Sequence, residues 1–190
     1  DNALVVSQLL VTEFGGDSVK PYQPEDYYKH LNFPERKYAS NVDDRQWRRG
    51  VYVHWQRMFL HPTMKTLDAP SREECTAERS RSNTPNAALA LLNDPTFVEA
   101  ARVLAERIIK EGGNSIDERL NFAYEVVLTR FPDEDERAIF RSLLQSTEAA
   151  YRDNPDAAMA LVDAGLAKRS ADIPALELAS WTAVARGLVN

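Results

Sequence analysis

Two consecutive helix starts in the middle of the chain constrain its fold more than any other feature. Thr84-Pro85 and Asp94-Pro95 each place a side-chain oxygen acceptor directly before a proline. A proline suits the first helical position, because its φ is already helical and its missing N–H has no helical partner there. Residues 87–92 between the two starts are wholly apolar, so they predict a short helix that is buried on most sides.

Start and stop signals continue through the second half of the chain. Residues 94–111 carry apolar side chains at helical spacing and end at Gly112-Gly113. Capping boxes open two more helices, at Ser115 with Glu118 and at Asp133 with Glu136. Asn154-Pro155 opens another, shorter helix, and a final helix begins at about Pro174. The predicted fold class is therefore mainly α, with a bundle of five to seven helices over 84–190.

The first half, residues 1–84, is predicted to be irregular. Residues 2–14 read as a helix that Gly15-Gly16 stops. The opening of the chain in such a helix indicates a segment excised from a larger multi-domain protein. We expect 1–190 to form a single domain.

One β element is predicted in this irregular part. Residues 49–58 fit both a half-buried strand and one face of a helix, and Gly50 favours the strand. Residues 64–67 would pair with that strand across the turn His61-Pro62, as a short two-stranded hairpin.

Composition excludes several classes of protein. The 190 residues are 44% hydrophobic and 27% charged, which is typical of a globular chain rather than a disordered one. The net charge is −6, and residues 91–190 hold 17 acidic but only 11 basic side chains. Nucleic acids and anionic lipids bind clustered Lys and Arg, so neither is expected as a partner. No apolar run approaches the ~20 residues of a membrane span, so none is predicted.

The few thiol and imidazole groups argue against a metal or haem site in this domain. Cys75 is the only cysteine, which excludes an internal disulfide and the paired cysteines of haem attachment. We expect Cys75 to be a small buried apolar group. The alternative, a reactive thiol, makes it a weaker site candidate. His30, His54 and His61 lack metal-binding spacing, and no nucleotide-binding or hydrolase motif occurs. No metal and no cofactor are expected within the domain.

The strongest candidate site is the polar junction in front of the first helix start. Arg79, Arg81 and Asn83 directly precede Thr84. A helix N-terminus presents free N–H groups and partial positive charge, so these four residues would suit a carboxylate, sulfate or phosphate. The favoured alternative is a structural clamp, in which the two arginines bind backbone carbonyls or the nearby carboxylates of Asp68, Glu73 and Glu74.

A weaker candidate is a cluster in which aromatic residues alternate with arginines. The aromatic residues are Trp47, Tyr52 and Trp55, and the arginines are Arg45, Arg48, Arg49 and Arg57. A platform for single-stranded nucleic acid has this composition. The favoured interpretation is that the arginines pair with Asp43, Asp44 or the acidic helices. Trp47 and Trp55 also suit a surface that stacks on sugars.

Several segments of the chain together resemble a known family. They are Ser18-Val19-Lys20-Pro21-Tyr22-Gln23-Pro24, Arg48-Arg49-Gly50-Val51-Tyr52 with Trp55, Leu67-Asp68-Ala69-Pro70, Cys75-Thr76, 79–102 and Ala179-Ser180-Trp181. The chain resembles, over nearly its whole length, a C-terminal domain of unknown function (domain of unknown function 1553) of large secreted proteins of planctomycetes and verrucomicrobia. These proteins often also carry a planctomycete-type cytochrome c domain. The resemblance implies an exported, multi-domain parent protein and supplies no biochemical activity to carry over.

These observations favour a non-catalytic binding or docking module. Its expected partners are other domains of the same parent chain, with the cytochrome c domain among them. The alternative is part of an extracytoplasmic enzyme or a glycan-binding protein that acts on polysaccharide. In that enzyme Asp68, His61 or Glu73 would be the acid or base, although such chemistry needs two facing carboxylates, which the sequence does not reveal. The expected location is extracytoplasmic or secreted.

Overall fold

The computed structural model describes residues 1–30, 37–56, 59–71, 75–78, 80 and 82–190. This part of the chain is mainly helical, which confirms the predicted fold class. Its α-helices are α1 (Asn2–Val6), α2 (Pro62–Thr66), α3 (Pro85–Asn93), α4 (Pro95–Glu111), α5 (Ile116–Leu128), α6 (Glu134–Asp153), α7 (Pro155–Val162) and α8 (Ala175–Val189). None of them is both long and apolar enough to cross a bilayer.

The helices of the second half begin where the caps predict. The Thr84 side chain accepts a hydrogen bond from the Ala87 N–H at the start of α3. Both halves of the capping box are formed at Ser115 and at Asp133, which open α5 and α6. The Asn154 side chain caps α7 by accepting a hydrogen bond from the Ala157 N–H. Each cap satisfies a backbone N–H that the helix itself leaves without an acceptor.

The chain divides into two compact units. Unit 1 consists of Asp1 and Leu10–Thr96, and unit 2 consists of Asn2–Leu9 and Phe97–Asn190. That 1–190 form a single domain stays a prediction.

Unit 2 is a helical bundle around α8, which packs against α5, α6 and α7. Leu178, Trp181 and Val184 of α8 are buried, and α4 contributes Leu104 and Ile108 to the same core. Burial of one such large apolar side chain contributes about 1.5–3 kcal/mol. Apolar packing therefore stabilises this unit, as the helical stripes of the sequence predict.

Unit 1 is irregular, as predicted. Its described residues include short 3-10 helices at Tyr27–His30, Asp44–Trp47 and Gly50–Tyr52. Between the described residues of this unit, the β pairing consists of isolated bridges that join Val11 to Arg48, Val19 to Val53, and Gln56 to Phe59. Hydrogen bonds between distant parts of the chain contribute to its order, such as those from the Val11 N–H to the Trp47 carbonyl oxygen and from the His54 N–H to that of Val19.

The structure corrects three local predictions in the first half. The helix expected over 2–14 ends at Val6, because Gln8 has a φ of 63° that a helix cannot continue. Residues 64–67, expected to pair as a strand, instead lie in α2 and its C-cap, because Pro62 occupies the first turn of a helix. Within 49–58, Gly50–Tyr52 form a 3-10 turn rather than a strand, and 57–58 lie outside the described residues.

Helix α3 is less buried than its apolar sequence predicts. None of its residues is fully buried, and Leu89 is 56% exposed. Within unit 1, α3 packs against α2, which has only five residues and covers a small part of its surface.

Candidate functional site

The junction in front of α3 is described only in part. Arg79 and Arg81 lie outside the described residues, and Asn83 is exposed. The Thr84 Oγ1 accepts a hydrogen bond of 3.2 Å from the Ala87 N–H. This hydroxyl acts as a helix cap, and whether the junction also binds an anion stays a prediction.

Asp68 holds the chain that leads into this junction. Its Oδ2 accepts hydrogen bonds from the Ser82 N–H at 2.7 Å and from the Ser82 hydroxyl at 2.5 Å. One described partner of Asp68 is a serine fourteen residues further along the chain. The predicted clamp with the arginines stays a prediction, because Arg79 and Arg81 lie outside the described residues. Asp68 therefore has a structural role here, since its carboxylate joins the two ends of the segment between α2 and α3.

His61 is buried and bonded to backbone. Its Nε2 lies 2.6 Å from the Tyr22 carbonyl oxygen, so this nitrogen carries the proton and donates. The residue is 6% exposed, and burial lowers the pKa of the imidazole, although the carbonyl and the nearby Asp94 oppose that effect. His61 is therefore a neutral group at pH 7 that ties the chain at Tyr22 to the start of α2.

Asp94 joins α2 to the start of α4. Its Oδ1 accepts a hydrogen bond of 2.9 Å from the Thr96 N–H, which caps α4 as the sequence predicts. Its Oδ2 accepts the hydroxyl proton of Thr63 in α2. Both carboxylate oxygens are thus bonded within unit 1.

The aromatic cluster contains one of the predicted ion pairs. Arg45 pairs with Asp43 at 2.6 Å, which confirms the expected arginine–aspartate pairing at this position. Trp47 and Trp55 are each half-buried. The Arg48 guanidinium lies 3.9 Å from the centroid of the Tyr52 ring and covers one of its faces. Arg57 lies outside the described residues.

Cys75 is exposed, and the prediction of a buried thiol is wrong. It lies in the irregular segment before α3, outside any helix of the described chain, so no packed helical face covers it. Among the described residues, no group of three or more His, Cys, Asp or Glu side chains is arranged to hold a metal ion.

Arg48 and Tyr52 bond to a loop over residues 13–17, here called the Phe14 loop. Arg48 is 8% exposed and donates to three carbonyl oxygens of the loop. Its Nη2 lies 2.6 Å from the oxygen of Gly15 and 3.0 Å from that of Glu13, and its Nη1 lies 3.2 Å from that of Asp17. The Gly15 N–H donates to the Tyr52 hydroxyl at 3.0 Å. Both side chains therefore bond to the backbone of this loop.

Two glycines give the Phe14 loop its shape and expose its aromatic residue. Gly15 and Gly16 both have φ of 80°, which is unfavourable for a residue with a side chain. The turn leaves Phe14 82% exposed. The Arg49 guanidinium lies 5.4 Å from the centroid of the Phe14 ring. Sequence reasoning interpreted these glycines as a helix stop, whereas Gly-Gly is also an ordinary turn signal that would have drawn attention to Phe14.

Unit 2 contains a buried polar cluster that fixes the loop after α7. Glu99 of α4 is fully buried, and its Oε1 accepts hydrogen bonds from the N–H groups of Leu166 at 2.5 Å and Ala167 at 2.6 Å. Arg102 is also fully buried and donates to the Ala167 carbonyl oxygen at 2.6 Å and to Glu106 at 2.6 Å. Sequence reasoning missed both residues, since each occupies an ordinary helical position.

The fold and these contacts define a mainly helical protein in which several of the candidate side chains bond to the protein's own backbone. The chain belongs to the family described as "Protein of unknown function (DUF1553)", also named PSD1, whose model matches residues 1–144. This match confirms the family that the sequence resembles. No curated protein and no solved structure matches the chain.

Proposed function

We propose that this protein is a non-catalytic docking module of a larger extracytoplasmic protein. The observation that supports this proposal is that three of the candidate side chains form hydrogen bonds within the fold. Asp68 holds a serine, His61 holds a carbonyl and Thr84 caps a helix. A general acid or base must instead reach a substrate with a free proton or lone pair.

The partner in this proposal is another domain of the same parent chain. The family resemblance supports an exported parent protein with a cytochrome c domain, so we propose that domain as the first partner. In this proposal the haem belongs to that partner, and no cofactor is expected within the module itself. Domains of one chain bind each other at high effective concentration, about millimolar for a short linker. A dissociation constant of about 100 μM therefore keeps such domains docked about 90% of the time.

The test is direct binding between separately produced domains. The 190-residue protein is titrated by calorimetry with the cytochrome c domain and, separately, with the remainder of the parent polypeptide. The proposal expects saturable binding of one of them, with a dissociation constant of about 100 μM or tighter. Absence of binding at millimolar concentration contradicts it. Release of sugars from a polysaccharide by the 190-residue protein alone favours the enzymatic alternative.

A further inference from the structure

We propose that the Phe14 loop is the docking anchor of this protein. In this inference Phe14 enters an apolar pocket of a partner protein, and Arg49 pairs with a carboxylate at the rim of that pocket. The inference rests on the proposed function, and it adds the surface of unit 1 that binds and the chemistry of its partner.

The first step is that the anchor is rigid before binding. Arg48 bonds the carbonyl groups of Glu13, Gly15 and Asp17, and the Tyr52 hydroxyl accepts the Gly15 N–H. A loop that is already ordered loses little conformational entropy when it binds, so more of the contact energy appears as affinity.

The second step is that Phe14 gains little from its own fold. Single exposed apolar side chains are common on protein surfaces and need no explanation by themselves. Phe14 differs because a buried arginine and two glycines at φ of 80° hold the loop in the shape that leaves it 82% exposed. A large, rigidly presented aromatic side chain is a typical binding hot spot. Val51, 71% exposed and two positions after Arg49, is a second apolar side chain in this part of unit 1.

The third step is charge, which indicates the partner's chemistry. The Arg49 guanidinium contacts the Phe14 ring, and none of the ion pairs between described residues includes it. A carboxylate of the partner would supply the missing counter-charge next to the apolar pocket. Glu13 and Asp17 are exposed on the same loop, so the rim has mixed charge, and such a rim fixes orientation more than affinity.

The experiment compares variants of the 190-residue protein in binding to the remainder of the parent polypeptide. Phe14→Ala is expected to weaken binding by about 30-fold, a typical loss when a hot-spot aromatic is truncated. Phe14→Trp keeps an aromatic anchor and should retain binding within a few-fold. Arg49→Glu should weaken binding about tenfold and mainly slow association.

Two control variants match Phe14 in exposure or in chemistry. Val42→Ala removes another 82% exposed apolar side chain of unit 1, and Phe131→Ala removes a 62% exposed aromatic of unit 2. Both should bind like the unchanged protein. Thermal unfolding of each variant separates loss of the anchor from loss of the fold, because truncation of an exposed side chain leaves stability nearly unchanged.

The outcomes distinguish this inference from the proposed function. If the unchanged protein binds and Phe14→Ala binds equally well, the anchor is wrong while docking stands. If the unchanged protein binds no part of its parent chain, the proposed function fails. The inference is also overturned if Phe14→Ala loses binding to phosphatidylcholine–phosphatidylglycerol vesicles or to a polysaccharide while its binding to protein is unchanged.

Discussion

Replacement of Gly165 by alanine should destabilise unit 2 strongly. Gly165 has φ of 94°, and a Cβ at this position would lie 2.3 Å from the Cδ and 2.4 Å from the Oε1 of Glu99. A non-glycine residue at positive φ costs about 1–2 kcal/mol by itself. The carboxylate cannot move aside freely, because it is buried and its Oε1 accepts the N–H groups of Leu166 and Ala167.

The clash therefore adds to the backbone strain. Loss of a buried hydrogen bond to a charged group costs about 1.5–3 kcal/mol, and displacement of Glu99 disturbs two such bonds. Loss of one of these bonds together with the backbone strain should thus lower the free energy of unfolding of Gly165→Ala by about 2.5–5 kcal/mol, a large part of the 5–15 kcal/mol that is typical of a domain.

Gly113→Ala is the matched control within the same unit. Its φ is 93°, almost the same as that of Gly165, but its closest neighbour is the Oε2 of Glu118 at 2.9 Å. Glu118 is exposed and can swing into solvent, so the cost should be about 1–3 kcal/mol from backbone strain and a weakened cap. Urea unfolding followed by circular dichroism measures both variants. Equal losses of stability would refute the argument that the buried carboxylate resists displacement.

Three further changes test other contacts of unit 1. Thr84→Ala removes the cap of α3 and should lower the free energy of unfolding, measured in urea, by about 1 kcal/mol. A change below about 0.3 kcal/mol would mean that the cap does not stabilise the protein. Burial lowers the pKa of His61 below its ordinary 6.5. As the pH falls below 6.5, His61 therefore binds a proton in the unfolded chain before it does so in the folded chain. Stability should therefore fall below pH 6.5, and His61→Asn should flatten that dependence; an unchanged pH profile in the variant contradicts the assignment. In Arg48→Lys a single ammonium group cannot bond to all three carbonyl groups of the Phe14 loop. The free energy of unfolding should fall by about 1–3 kcal/mol, and the amides of 13–17 should exchange faster. Unchanged exchange would contradict the role of Arg48 in holding this loop.

The helices of the second half could be predicted because their signals are local. A cap at Ser115 or Asp133 and its partner are three residues apart, so the printed sequence contains the whole interaction. The apolar stripe of α8 likewise indicates its buried face directly. Helix α3 shows the limit of this reasoning, because its sequence is apolar all round but its neighbours decide how much is covered.

The irregular half could not be predicted in detail because its order is long-range. Arg48 holds carbonyl groups more than thirty residues earlier in the chain, and His61 holds that of Tyr22. Nothing in the local pattern around either residue identifies its backbone partner. The same applies to Glu99, whose partners Leu166 and Ala167 lie 67 and 68 residues later in the chain. The Thr84 cap could be predicted because its partner is Ala87.

Backbone hydrogen exchange tests the docking of the Phe14 loop most directly. The amides of 13–17 and 48–52 are compared in the 190-residue protein alone and in the intact parent protein. The account predicts that these amides exchange about tenfold more slowly in the intact protein, since the docked loop opens less often. Equal exchange of both segments in the two proteins would contradict it, whether exchange is slowed only around Phe131 or nowhere.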